Sequence, residues 1–396
     1  MIELAELQGI PLIDTHVHRF HPNRCGDFGT VAGGYIPGPD QRLHSRQTLL
    51  YGMVIEKLRV HFGMPEDASP EQVEAERDRR YRQDPHTYSR ELLENQNVAL
   101  YCLDIGSPMG GAAYTQQEIA EFHRAIPEER CCDIVRIDRT VEDLLAEDIP
   151  FEQFLPRYQE SLEHEITVHK TVGLKSCCAY NGGLNVAVTE KSDARRAYEK
   201  LRAGDRSLEN RKAFYDFMLM ESVEPAVAHH LPIQIHTGAG GGNWLDFRTE
   251  NPVNLIDFLK DKRVVNRCKI VLLHGGHPHE EDTGYITAQF SNVYTDFSGT
   301  FYLVSGKGLE RMTALLERTP LDKVMYGSDG VGMPELSWFA HDHFRIQLTK
   351  MLNHLTAEGY MTERRARETA RMFMYGNAFG CYENISRYVK NKEDRK

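Results

Sequence analysis

No apolar run in this 396-residue chain approaches the ~18–20 residues that a membrane span requires. The first residues, Met1-Ile2-Glu3-Leu4-Ala5-Glu6, have neither the basic start nor the apolar core of a secretory leader, so a cytoplasmic protein is expected. No CxxC spacing occurs, which removes zinc-ribbon and thioredoxin-type readings. Two cysteine pairs are adjacent, Cys131-Cys132 and Cys177-Cys178. Neighbouring strand residues face opposite ways, so reduced, buried thiols are expected rather than local disulfides. Basic residues are outnumbered 47 to 58, and the net charge of −11 argues against nucleic acid or an anionic membrane as the main partner. A small-molecule substrate is the expected partner, and a local basic pocket for an acidic one remains compatible. Linkers of the Pro/Ser or Gly/Ser type are missing, as are internal repeats, so one domain over residues 1–396 is expected.

What is present is enough hydrophobic sequence, 41%, to bury a large core, and a rhythm of short apolar runs. Strands are expected at Leu12–His16, Val98–Asp104, Cys132–Ile137, Val172–Ser176, Leu231–His236, Lys269–His274, Val293–Asp296 and Val324–Asp329. Helical patterns lie between them, including Phe151 to His169, Asp193 to His229 and Leu309 to Leu316, with Leu336 to Leu355 and Glu363 to Tyr375 at the end. Eight strands alternating with helices spell an α/β fold, a (β/α)8 TIM barrel. After the first strand, about residues 36–95 form a helical insertion too long for a simple loop. It is expected over the strand ends, as either a lid or an oligomer contact.

Polar residues gather where that fold keeps its chemistry, at the C-terminal ends of strands. His16 and His18 stand two residues apart on the first strand and share a face. Lys175 ends the fourth, His236 the fifth, His274 the sixth and Asp329 the eighth. Singly, each has an ordinary reading as a hydrogen-bonded or capping residue. Together, convergent imidazoles and a carboxylate are what a borderline divalent ion such as zinc requires. Asp329 would then bind or deprotonate a water as general base. The run Gly238-Ala239-Gly240-Gly241-Gly242-Asn243 lacks the Walker pattern and suits a flexible substrate loop rather than a phosphate site.

The ordered set Asp14-Thr15-His16-Val17-His18, Ile235-His236-Thr237-Gly238, Leu273-His274-Gly275-Gly276 and Tyr326-Gly327-Ser328-Asp329-Gly330 resembles the amidohydrolase superfamily, in its amidohydrolase-2 branch. Gly173-Leu174-Lys175-Ser176, Ala179-Tyr180, Pro334-Glu335 and Tyr375-Gly376-Asn377-Ala378 are similar to the amidohydrolase domains fused to glutamine-synthetase-like proteins. The resemblance implies a metal-dependent hydrolase acting on an amide, lactone or related carbonyl of a small carboxylated molecule. It implies His16 and His18 as ligands of a divalent metal, zinc by expectation, with His236 and Asp329 completing the shell. His274 would be a second-metal ligand or a substrate contact, acting with Asp329 in catalysis. Lys175 stands where relatives carry a carboxylated lysine bridging two ions, so one or two metals are possible. The resemblance also implies a homo-oligomer. A lyase decarboxylating aromatic acids and a uronate isomerase are the alternative chemistries of the same superfamily; the intact first motif favours hydrolysis over decarboxylation. Those fused relatives carry an arginine after the tyrosine where this chain has Asn181, which weighs against a γ-glutamyl substrate. Candidates to hold a substrate are Arg19, Arg136, Arg248 and Tyr180, with Arg139 a further cation.

Overall fold

Eight parallel strands form one sheet in the order β1 to β8, each paired with the next. They are β1 Leu12–His18, β2 Val98–Asp104, β3 Cys131–Arg136, β4 Thr171–Ser176, β5 Ile233–Ile235, β6 Ile270–Leu272, β7 Val293–Asp296 and β8 Val324–Met325. The computed structural model describes residues 1–106, 111–240, 245–299 and 305–389, so the glycine-rich stretch after β5 is placed only as far as Gly240 and the rest of it lies outside the described residues. β8 comes round to β1 through backbone bonds from Thr15 N–H to the Tyr326 carbonyl (3.0 Å) and from His18 N–H to that of Gly330 (3.0 Å). The chain is therefore the expected α/β TIM barrel, with helices between β1 and β2.

Three strands end earlier than their apolar runs suggest. His274 and Asp329 take φ of 67° and 53°, in the left-handed region that a strand cannot continue through. His274 and Asp329 consequently sit on the loops past their strands, and His236 directly follows the last residue of β5. The expected helix from Asp193 to His229 is three pieces, Lys191–Arg202, Leu208–Glu221 and Val223–Ala228. Gly204, at φ 90°, makes the first break.

The barrel interior is filled by Ile13, Leu100, Cys102, Cys132, Ile134, Val172, Val271 and Met325. The same cluster takes in Ala378, Cys381, Tyr382 and Ile385, so the C-terminal helical turns close the barrel floor. Tyr382 is fully buried, and its hydroxyl accepts a hydrogen bond from Gln234 Nε2 (2.7 Å) inside the barrel. Among the described residues, that floor leaves the strand C-terminal end of the barrel for a site within it.

The insertion contributes α1 Leu49–His61, α2 Pro70–Gln83 and α3 Pro85–Glu94. Ser69 caps α2, and Pro85 with Asp84 separates it from α3, although the polar stretch from Pro65 to Arg90 reads in the sequence as one continuous helix starting at Ser69-Pro70-Glu71. These helices bury Val54, Leu58, Val73, Tyr81 and Leu92 against α4, Pro334–Ala357, on the barrel flank. A buried ion pair ties the two layers, from Arg77 Nε to Glu335 Oε1 (2.5 Å), with the Tyr88 hydroxyl on the same oxygen (2.9 Å). All eight cysteines are free, seven of them buried. No helix among the described residues is long and apolar enough to cross a membrane.

Candidate metal centre

Alternation along β1 sets where its histidines point, with one irregularity. Ile13 belongs to the barrel interior, whereas Leu12 and Val17 pack in the outer cluster. Strict alternation from Ile13 would bring Val17 inward and turn His16 and His18 out. Between Asp14 and Val17 the register against β2 slips by one residue, a β-bulge that resets the phase. Both histidines thereby face the barrel mouth, His16 1% and His18 9% exposed.

Their ring nitrogens converge on one carboxylate oxygen. His18 Nε2 lies 3.0 Å and His16 Nε2 3.3 Å from Asp329 Oδ1. Two donors about 2.0–2.1 Å from a common tetrahedral ion stand about 3.3 Å apart, so the spacing is that of ligands sharing one cation. Three of the buried histidines are pushed toward the neutral form that a cation needs. Burial, with the charge of Lys175, pushes His16 down to about 3, and burial pushes His274 down to about 4 and His236 well below its ordinary value. Burial alone would raise Asp329, but His274 and the hydrogen bonds of His16 and His18 hold it well below the usual carboxylate range. A carboxylate among imidazoles is a set that fits a borderline divalent ion.

On the far side, His274 and His236 form a directed pair. His274 Nδ1 faces the Ser298 carbonyl (3.0 Å), so that nitrogen carries the proton. Its Nε2 then accepts from His236 Nδ1 (3.0 Å), which leaves the buried His236 Nε2 as a lone pair with no hydrogen-bond partner among the described residues. Tyr180 packs on the same imidazole, ring centroids 4.8 Å apart, and a Cβ on Gly240 would collide with both. Gly299 is equally constrained, since a Cβ there would sit 3.0 Å from His274 Nδ1 and 3.1 Å from Asp329 Oδ2. Asp296 supports His274 from below. Its Oδ1 accepts from the His274 N–H (2.9 Å) and from the amide and hydroxyl of Ser298 (3.2 and 2.8 Å). Lys175 is 2% exposed on β4.

Asp104 is a residue that strand-end reasoning leaves out, although it ends β2 as His18 ends β1. His16, His18 and Asp104 form a buried group whose donor atoms lie within 4.8 Å of one another and could hold a metal ion. Asp104 Oδ2 lies 3.9 Å from His18 Nδ1, the nitrogen turned away from Asp329. Arg136 grips the same carboxylate, with Nε 3.1 and 3.2 Å from its two oxygens and Nη2 on Oδ2. That pairing commits a guanidinium expected to be available to a substrate. Arg19 turns to the outer side of β3, 3.5 Å from Asp133, and with Arg139 and Tyr114 lines a 360 Å³ cavity there. Arg248 is not brought to the site: its side chain is 88% exposed and bonded to Asp246. Asn181 is buried, donating to Asp138 (3.1 Å) and accepting from Arg211 (2.6 Å).

The comparisons agree with this picture. Protein fluG of Emericella nidulans is 27% identical over 254 residues, 61% of this chain, and the chain spans only 29% of that relative's length. A provisionally designated metal-dependent hydrolase from Lactobacillus casei has the same fold, with a TM-score of 0.82 at 20% identity over 99% of this chain and 100% of its own. The uronate isomerase of Thermotoga maritima follows at 0.69 and 16% identity, over 96% of each chain. The family model described as amidohydrolase matches residues 171–379, more than half of the sequence, and with the barrel and the motifs at its rim it shows that this chain belongs to the amidohydrolase family.

Proposed function

We propose that the protein is a metal-dependent hydrolase that cleaves an amide, lactone or related carbonyl bond of a small carboxylated molecule. The observation that carries this reading is the meeting of His16 Nε2 and His18 Nε2 on one Asp329 oxygen, at 3.3 and 3.0 Å, in a buried rim closed from below. His16, His18, Asp329 and the lone pair of His236 would hold a divalent ion, zinc by the chemistry of the donor set. Such an ion supplies Lewis acidity to water and carbonyl alike. Asp329, with one oxygen among the histidines and the other 3.7 Å from His274 Nδ1, is placed to take a proton from attacking water and return it to the leaving group. Asp104, already gripped by Arg136, stands behind His18 with Oδ2 3.9 Å from its Nδ1 and places a buried negative charge on that side of the site. Lys175 faces the same space and, carboxylated, would bridge to a second ion; a second copy of the chain is the partner we propose.

Metal analysis of protein purified without chelator should find about one or two equivalents of zinc or a similar ion, one if Lys175 is unmodified. H16A and D329N are each expected to lower turnover at least ~10³-fold while leaving the barrel folded. Screening N-acyl amides, lactones and aromatic acids, with CO₂ release and uronate isomerisation followed alongside, reads the reaction class. A fully active metal-free enzyme, or CO₂ as the product, would overturn the reading.

A further inference from the structure

β8 is two residues long, and its pairing with β7 stops at Met325. The segment that follows, Tyr326 to Gly330, carries Asp329 and, among the described residues, is tied on that side by one long backbone bond, from the Gly299 amide to the Ser328 carbonyl (3.4 Å). What holds it is β1. The Thr15 amide and hydroxyl both donate to the Tyr326 carbonyl (3.0 and 2.9 Å), and the Asp329 amide donates to the His16 carbonyl (2.7 Å). Asp14 then commits both carboxylate oxygens to the residue before Asp329. Oδ1 accepts from the Ser328 amide (2.8 Å) and Oδ2 from the Ser328 hydroxyl (2.6 Å). The Ser328 hydroxyl in turn accepts from the Gly330 amide (3.1 Å), so one side chain spans Asp329 from both neighbours.

Asp329 lies at φ 53°, a left-handed conformation that is strained for a non-glycine residue and persists only where its surroundings enforce it. Asp14 is fully buried, and the nearest cationic candidate, His341 Nε2, is 3.9 Å away, beyond hydrogen-bond reach. A carboxylate buried there with no cation within hydrogen-bond reach is an expensive way to fix a loop, unless the position of the next residue matters.

We propose that Asp14 is the positioning residue for Asp329: acting through Ser328, it sets the Asp329 carboxylate between the two imidazoles of its own strand. The inference rests on the reading of His16, His18 and Asp329 as metal ligands, and its test carries one readout that does not.

Wild type, S328A, S328T and D14N are prepared as full-length protein, stripped with chelator and titrated with Co²⁺ against a competing chelator. S328A and D14N should bind Co²⁺ ~10–100-fold more weakly than wild type, with an altered visible spectrum, and S328T, which keeps the hydroxyl, should stay close to wild type. Hydrogen–deuterium exchange over residues 326–331, measured on the same metal-free proteins, should be at least about tenfold faster in S328A and D14N, with the rest of the barrel unchanged. Unaltered exchange in that segment overturns the proposal, and so does unaltered Co²⁺ affinity with an unaltered spectrum. Faster exchange throughout the barrel would show Asp14 to be a general stability element and overturns it as well. If wild type binds no Co²⁺, the metal reading fails by itself, and the exchange result alone decides whether Asp14 holds the loop.

Discussion

Glu250 sits on the loop after β5, 1% exposed, with Oε2 lacking a hydrogen-bond partner among the described residues. Burial pushes its carboxyl up to about 8, against a weak opposing bond from the Thr249 hydroxyl. In the unfolded chain the same group titrates near ~4.3. Between those values the native protein keeps a proton that the unfolded chain has released, so this group's contribution to stability falls as pH rises from ~4.3 through 8. E250Q cannot release a proton there, so its urea midpoint should decline less than that of wild type over the same span. Parallel midpoints in the two proteins would show that Glu250 is ionised in the fold.

At this scale the sequence was legible wherever a polar residue ended an apolar run, because a barrel turns such residues toward its rim. His16, His18, His236, His274 and Asp329 were readable in that way, and the structure brings them together. Asp104 obeys the same rule but sits in a run otherwise read only as strand. Arg136 looked available because its carboxylate partner lies 32 residues away, on another strand, with no local signal. The direction in which β1 presents its histidines was not legible at all, since the bulge that turns them inward arises from pairing with β2.

Among elements, the insertion is held to the barrel by more than apolar packing. Arg77 lies over the rings of Phe28, Tyr81 and Tyr88, at 4.9, 4.1 and 5.8 Å, while reaching Glu335 on α4. Truncating one partner leaves the other charge buried and unpaired, so R77M should cost about 3–5 kcal/mol in chemical denaturation. R77M/E335M removes both charges and should recover part of that loss. A double variant less stable than either single one would contradict this account. The start of the polar helix was legible from Ser69 before Pro70, whereas the break at Pro85 was missed although the proline marks it. Their resting place on the flank was not, because α4, the surface they cover, lies some 250 residues further on.

For the whole molecule, alternation of strand and helix was enough to name the architecture, since few folds accommodate eight such repeats. The short lengths of β5, β6 and β8 were hidden, because apolar runs continue into loops that are themselves buried. The floor was hidden too: Tyr382 and its neighbours carry no pattern that distinguishes a plug from any terminal helix.

That plug makes the barrel a cup rather than a tunnel. With Tyr382 and Cys381 sealing the far side, arriving and departing molecules must use the same doorway. A product lingering on the ligand set therefore occupies the berth of the next substrate. Once a turnover assay exists, added product should raise KM and leave kcat untouched; a fall in kcat at saturating substrate would mean that a second exit, or a second resting place, is open.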